Sequence, residues 1–359
     1  MTEYSSKLVP GKHFPEGMQA PKREDILAEL AKYGCAGGGE IDLIDTTHDA
    51  DDIRLNYIIE RKWVLRFCNA PGMTEKRLQE LNRLIGRYKD FGLRCPAFLP
   101  DPDGIFFHEW NGLSVYLAEY VDLQTGESLE PAERDTLWQE VLDSVAAFAE
   151  KYRNVDLSET MGMYSLFDLS PFDKEVGIDE KQQNFNSLCE ALRGIGAGAL
   201  ADKLTAKHEE IRSRLRAVYR GLPRCVFQAD ENLSNVLMDE EHHLAGLIDF
   251  NLAGTEVIVN QFANLGGGFD EEITEPVGAE VRLCHADEEY RKYQGCMLEI
   301  YHASEQERQA LDDYTWIALA AGWPQVCFFL DGLKNEKIKA EILELLDLLA
   351  EHDFRLSGM

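Results

Sequence analysis

Basic residues are scarce in this chain: 36 Lys and Arg stand against 65 Asp and Glu, a formal net charge of −29 over 359 residues. A field of that sign repels phosphate backbones and anionic bilayers, which argues against nucleic acid or a membrane as partner and favours cationic small molecules. None of the eight cysteines forms a Cys-x-x-Cys pair and most sit in apolar runs, so neither a zinc site nor a disulfide frame is expected. The opening "MTEYSSKLVPGKHFPEG" lacks the apolar core of a signal peptide, and no apolar run approaches the length that spans a bilayer. The expectation is a cytoplasmic globular protein. At 45% hydrophobic and 28% charged, the chain can build two lobes with substantial cores.

What is present changes rhythm along the chain. "REDILAELAKYG" reads as a short helix closed by Gly34, followed by the candidate strands "EIDLIDTT", "IRLNYIIE" and "KWVLRFC". Short connections between them predict an antiparallel meander. In "MTEKRLQELNRLIGRYKDFG", Leu78, Leu81, Leu84, Ile85 and Tyr88 fall at helical spacing, with Thr74 as N-cap and Gly92 as stop. "AFLP", "IFFHEW" and "SVYLAEYV" predict further strands around the turn "DPDG". From about Pro131 the pattern is helical, as in "RDTLWQEVLDSVAAFAEKY" and "ALADKLTAKHEEIRSRLRAVYRGL". Within that region "VLMD" and "LAGLIDF", separated by "EEHH", predict a hairpin.

The stretch "FQADENLSNVLMDEEHHLAGLIDF" places Asp230, Asn235 and Asp249 around that hairpin. With "QADENLSN" as an Asp-x-x-x-x-Asn loop, "LIDF" as a metal-binding Asp motif and "WVLRFC" as a strand bearing a basic phosphate contact, the chain resembles the aminoglycoside phosphotransferase and choline kinase-like family of small-molecule kinases. The resemblance covers roughly residues 30 to 270. It implies an α+β, two-lobed protein kinase-like fold: an N-terminal antiparallel sheet with one main helix, and a larger, mostly helical C-terminal lobe with an embedded catalytic hairpin. The implied division is residues 1–118 for nucleotide binding, 119–122 as hinge, and 123–359 for catalysis and acceptor binding.

The resemblance also assigns roles. Phosphoryl transfer is catalysed by positioning and by cations around the phosphates. Asp230 is the expected catalytic base, and Asn235 and Asp249 the expected Mg2+ ligands, oxygen donors suited to a hard cation. Arg66 is the expected phosphate contact, held by Glu80 with Glu75 as rival; strand alternation leaves Lys62 as a second candidate cation. Glu119 and Val121 are expected to bind the adenine edge through their backbone, and Thr47 to contact phosphate. The donor is ATP or GTP, and the acceptor a small-molecule hydroxyl on an amino sugar, aminoglycoside, choline-like alcohol or related metabolite.

Several positions depart from the family pattern. Gln228 stands where the family carries His two positions before the catalytic Asp, and Asn232 where a second His is usual. No G-x-G-x-x-G loop joins the first two strands; Gly37, Gly38 and Gly39 precede the first strand, and Asp49, Asp51 and Asp52 in the turn would repel a triphosphate unless they point away. Beyond Asp249, Asn260 and Asn264 stand near where the family has Asp. His242 and His243 read as turn residues, and "WPQVCFF" as helix packing, although Trp316, Trp323 and Phe328 fall where this family builds acceptor sites. A nucleotide-binding regulatory protein without efficient transfer is the alternative. A protein kinase is disfavoured, because no long activation segment ending in Ala-Pro-Glu follows Asp249.

Overall fold

The computed structural model describes residues 4–5, 8–70, 72–269 and 275–355. In chain order, β1 (Tyr4–Ser5), α1 (Arg23–Lys32), β2 (Ile41–Asp45), β3 (Arg54–Ile59) and β4 (Trp63–Cys68) lead to α2 (Glu75–Asp90). β5 (Phe98–Leu99), β6 (His108–Trp110), β7 (Leu113–Glu119) and β8 (Gln124–Thr125) follow. Three long helices, α3 (Pro131–Tyr152), α4 (Glu180–Gly194) and α5 (Gly198–Val218), precede β9 (Arg224–Phe227). Next come β10 (Val236–Met238), β11 (Leu244–Leu247) and β12 (Gly254–Val257). The last helices are α6 (Ile258–Leu265), α7 (Ala279–Ile300), α8 (Glu305–Ala321), α9 (Trp323–Lys334) and α10 (Lys339–Glu351).

The chain divides into two compact units, residues 1–137 with 230–250, and residues 138–229 with 251–359. The first therefore takes in the β10–β11 hairpin, and the expected hinge at 119–122 falls inside it. Backbone pairing explains why: β10 bonds β8, and the Arg94 N–H donates to Ala245 C=O at 2.8 Å. Gly246 is required there, since a Cβ would lie 2.0 Å from the Arg94 carbonyl oxygen.

The sheet of the first unit runs β1-β2-β3-β4-β7-β5 with β6 on β7, and its pairs are antiparallel. Side chains alternate across it. Leu55, Tyr57, Ile59, Leu65, Phe67, Val115 and Leu117 bury on one face with Ile26 and Leu30 of α1. Asn56, Arg66 and Tyr116 are register partners on the other. The β3–β4 connection is the three residues Glu60, Arg61 and Lys62; Glu60 and Arg61 each take φ +50, and the Lys62 N–H donates to Ile59 C=O at 3.0 Å. Lys62, which strand alternation places on the same face as Arg66, lies just before β4, exposed and paired with Glu60 at 3.0 Å.

Helix α2 follows its sequence signals. The Thr74 hydroxyl accepts from Arg77 N–H at 3.2 Å, the spaced apolar residues are buried, and Gly92 takes φ +104 just past the end. All eight cysteines are free; Cys68, Cys95, Cys189 and Cys225 are buried and Cys284 is exposed.

The second unit is a helical body with a two-stranded ribbon, β9 on β12. Trp316 is buried with its indole N–H on Leu349 C=O at 3.0 Å, and Phe328 stacks on Phe269, so both are core residues, whereas Trp323 is 60% exposed. No single described helix is long and apolar enough to cross a membrane; α8 and α9 reach that length and composition only together, across a 42° bend.

Glu256 on β12 is buried in this unit, and burial pushes its carboxyl up to about 7 despite hydrogen bonds from Asn260 and the Val257 N–H that favour the anion. A carboxyl raised in the folded state stabilises fully below its unfolded pKa, and that contribution is lost as pH rises through about 7. Glu256→Gln should therefore gain stability relative to the parent by ~1–3 kcal/mol between about pH 5 and about pH 8. Urea titrations of both proteins at the two pH values check this.

Candidate active site

The loop after β9 is organised by two asparagines. Asn232 Oδ1 accepts the Ser234 N–H at 3.0 Å, and the Asn235 N–H returns to Asn232 C=O at 2.9 Å, folding the segment into a tight Asx turn. Their side-chain amides converge on Asp230: Asn232 Nδ2 donates to Oδ1 at 2.8 Å and Asn235 Nδ2 to Oδ2 at 2.7 Å. Asn235 Nδ2 also reaches the Asp230 carbonyl oxygen at 3.0 Å. Two acceptors facing Nδ2 fix the amide orientation, because a flip would oppose oxygen to carboxylate.

Burial raises the pKa of Asp230, and the neighbouring Asp249 charge adds to this, while the two asparagines and Arg54 pull it down. The result is a carboxylate oriented by its donors and more basic than usual.

The hairpin delivers the second carboxylate. Asp239 N–H bonds His243 C=O at 3.0 Å, and Asp239 Oδ1 collects the N–H groups of Glu241 and His243, closing the turn. His242 pairs with Glu133 at 3.0 Å. At the other end, the Ile248 N–H donates to Asn235 C=O at 2.9 Å, tying the start of the hairpin to its finish. Asp249 then adopts φ +51, in the left-handed region that a non-glycine residue occupies at some cost.

Arg66 meets this carboxylate from β4. Its Nη2 lies 3.4 Å from Asp249 Oδ2, Nη1 lies 3.4 Å from the Tyr116 hydroxyl, and Nε donates to Asn56 Oδ1 at 2.5 Å. Burial disfavours the guanidinium charge, but Tyr116, Asp249 and Cys68 more than offset this and raise its pKa. Burial also raises the Tyr116 pKa, which keeps the phenol neutral, so Asp249 is the charge that matters at neutral pH.

One cavity of about 1860 Å³ within the first unit is lined by Asp230, Asn235, Asp249, Arg66, Thr47, Glu119 and Val121. Thr47 Oγ1 accepts the Arg54 N–H at 3.1 Å. The Glu119 N–H is committed to Ala97 C=O at 2.9 Å, whereas the Val121 N–H has no backbone acceptor among the described residues. Glu80 does not line the cavity; it is buried on α2, and its charge acts on Arg77. Its rival Glu75 accepts the Phe106 N–H at 2.9 Å.

Asp49, Asp51 and Asp52 are also absent from the lining, and Asp52 pairs with Arg54 at 2.6 Å. The N–H groups of Gly38 and Gly39 hold the Glu60 carboxylate, at 3.3 and 3.0 Å, committing these two glycines to an internal anion. Asn56 and Tyr116 were not among the residues expected from the sequence; the register across the β3–β4 turn could have found Asn56, whereas Tyr116 is set beside Arg66 by the β4–β7 pairing, which no local signal encodes. Among the described residues, no group of three or more His, Cys, Asp or Glu side chains could cage a metal.

The sequence profile of the phosphotransferase enzyme family (APH) matches residues 50–296, more than half of the chain. The chain belongs to this family. Among solved structures, this phosphotransferase is similar to an aminoglycoside phosphotransferase from Alicyclobacillus acidocaldarius, at 14% identity over 96% of this chain and 99% of that one, with a TM-score of 0.55. It is also similar to a microcompartment-associated aminopropanol kinase, at 14% identity over 92% of this chain and 98% of that one, with a TM-score of 0.57. At such identities the likeness is one of fold, and it is the kinase-like α+β fold expected from the sequence. No curated protein matches the chain in sequence at a significant level. The family makes the protein a phosphotransferase acting on an alcohol group.

Because Asn232 donates directly to Asp230, Asn232→Ala should raise the Asp230 pKa further. Carboxyl-carbon NMR titration of Asp230 in the two proteins checks this shift.

Proposed function

We propose that this phosphotransferase is a Mg2+-dependent small-molecule kinase that moves the γ-phosphate of ATP or GTP to a hydroxyl of an amine-bearing acceptor such as an amino sugar, aminoglycoside or choline-like alcohol. The observation that carries this reading is the convergence of Asp230, Asn235, Asp249 and Arg66 on one cavity from three separate parts of the chain. Residues 1–118 would form the nucleotide lobe, 119–122 the hinge, and 123–359 the catalytic and acceptor lobe, working in the cytoplasm.

In this reading Asp230, held by two amides, orients the acceptor hydroxyl and takes its proton as the phosphoryl group transfers. Asn235 spends its Nδ2 on Asp230, and its Oδ1 makes no hydrogen bond to a described residue, which suits a neutral metal ligand beside the Asp249 carboxylate. The bound ion would neutralise charge on the phosphate oxygens; one or two protein ligands suffice when phosphates complete the sphere. Arg66 contacts phosphate, Thr47 offers a hydroxyl, and the open Val121 N–H and the Glu119 carbonyl meet the base edge.

Two features support an amine-bearing acceptor: the net charge of −29, and structural relatives described as an aminoglycoside phosphotransferase and an aminopropanol kinase. Gln228, buried and unable to titrate, leaves the nucleotide-binding regulatory alternative as an outcome of the test.

Thermal melting with ATP or GTP, with and without Mg2+, tests the site. A magnesium-dependent rise that Asp249→Ala loses is expected; a rise indifferent to both sinks the metal assignment. Asp230→Asn should retain nucleotide binding while phosphate transfer to amino alcohols or amino sugars falls by about 100-fold or more. Nucleotide binding without transfer by the parent, across such an acceptor panel, would favour the regulatory reading.

A further inference from the structure

The cavity wall includes Gly11, Lys12 and His13, which precede the family-matched segment by more than thirty residues. This leader is seated on the sheet. Leu8 and Phe14 pack against the core of the first unit, β1 pairs with β2 just upstream, and the Gly11 N–H donates to Asp45 Oδ2 at 2.6 Å. Phe14 N–H to Gly11 C=O at 3.2 Å closes a turn whose tip, Lys12 and His13, is exposed. Asp45 ends β2, the strand that enters the 46–53 connection, and kinase-like folds cover the nucleotide phosphates at that connection.

The other basic groups of the cavity are engaged. Arg54 pairs with Asp52, Arg61 with Asp122, and Arg66 with Asn56 and Asp249. Lys12 makes no ion pair or hydrogen bond among the described residues, and the N–H groups of Lys12 and His13 have no backbone acceptor there. A triphosphate brings about four negative charges into a wall already carrying Asp45, Asp230 and Asp249. The glycines that precede β2 do not line the cavity, and the N–H groups of Gly38 and Gly39 hold Glu60.

We infer that the Gly11–Phe14 turn takes the place of the absent glycine-rich loop, with the Lys12 ammonium, assisted by His13, contacting the phosphates of the bound nucleotide. The inference rests on the nucleotide reading of the cavity, and its test separates the two. Lys12 and His13 are exposed, so their replacement leaves the fold intact, which unliganded melting curves verify.

Calorimetric titration of the parent, Lys12→Ala, Lys12→Arg and the double variant Lys12→Ala/His13→Ala would use MgATP and MgGTP, with adenosine and guanosine as phosphate-free controls. Lys12→Ala should bind the triphosphate about tenfold more weakly and the nucleoside unchanged, with Lys12→Arg recovering most of the loss and the double variant weaker still. A parent that binds while the double variant binds triphosphate equally well overturns the inference alone. Equal loss of nucleoside and triphosphate affinity also overturns it, by making the turn merely structural. A parent that binds neither nucleotide overturns the nucleotide reading, and this inference with it.

Discussion

The carboxamide of Asn235 is the contact on which the rest of the site depends. Its nitrogen bridges the carboxylate and the carbonyl of Asp230, and its backbone carbonyl receives the Ile248 N–H one residue before Asp249. One residue thereby sets the orientation of one carboxylate and the approach of the other. A neutral amide suits this position, because a third carboxylate would repel the two already there. The same commitment of Nδ2 leaves the Asn235 Oδ1 as its uncommitted atom.

Around that contact, an acidic chain pairs much of its charge locally. Several nearby carboxylates are paired: Asp52 with Arg54, Asp122 with Arg61, and Glu60 with the amides of Gly38 and Gly39. Arg66 is screened from water among Asn56, Tyr116 and Asp249, where a guanidinium fork can serve several acceptors at once. Local pairing thus decides the chemistry of the cavity, while the net charge acts only on what approaches it.

Backbone constraints hold these groups in place. Asp249 sits at φ +51 immediately after a hairpin pinned by β8 and by the close Gly246–Arg94 approach. A left-handed aspartate persists when its surroundings over-determine it, and here a strand pair, a glycine contact and the Arg66 interaction all bear on it. The turn at Glu60 and Arg61 does the corresponding work on the sheet, since its register sets Asn56 against Arg66, and the β4–β7 pairing sets Tyr116 on the other side of Arg66.

By itself the sequence determined the local elements and the order of the motifs: the caps of α2, the β3–β4 hairpin, the Asp-x-x-x-x-Asn loop and the second aspartate. These follow from periodicity, turn chemistry and spacing, which act over a few residues. Only the tertiary structure decided the partners. Strand alternation put Lys62 on the face of Arg66, because it could not see that Glu60, Arg61 and Lys62 would all fall in the turn. Glu80 occupies a plausible helical position, yet whether it faces Arg66 or Arg77 depends on how α2 is rotated against the sheet. The leader carried no motif at all. Its place in the cavity wall comes from Asp45, Leu8 and Phe14, contacts between residues far apart in the chain that no local pattern encodes.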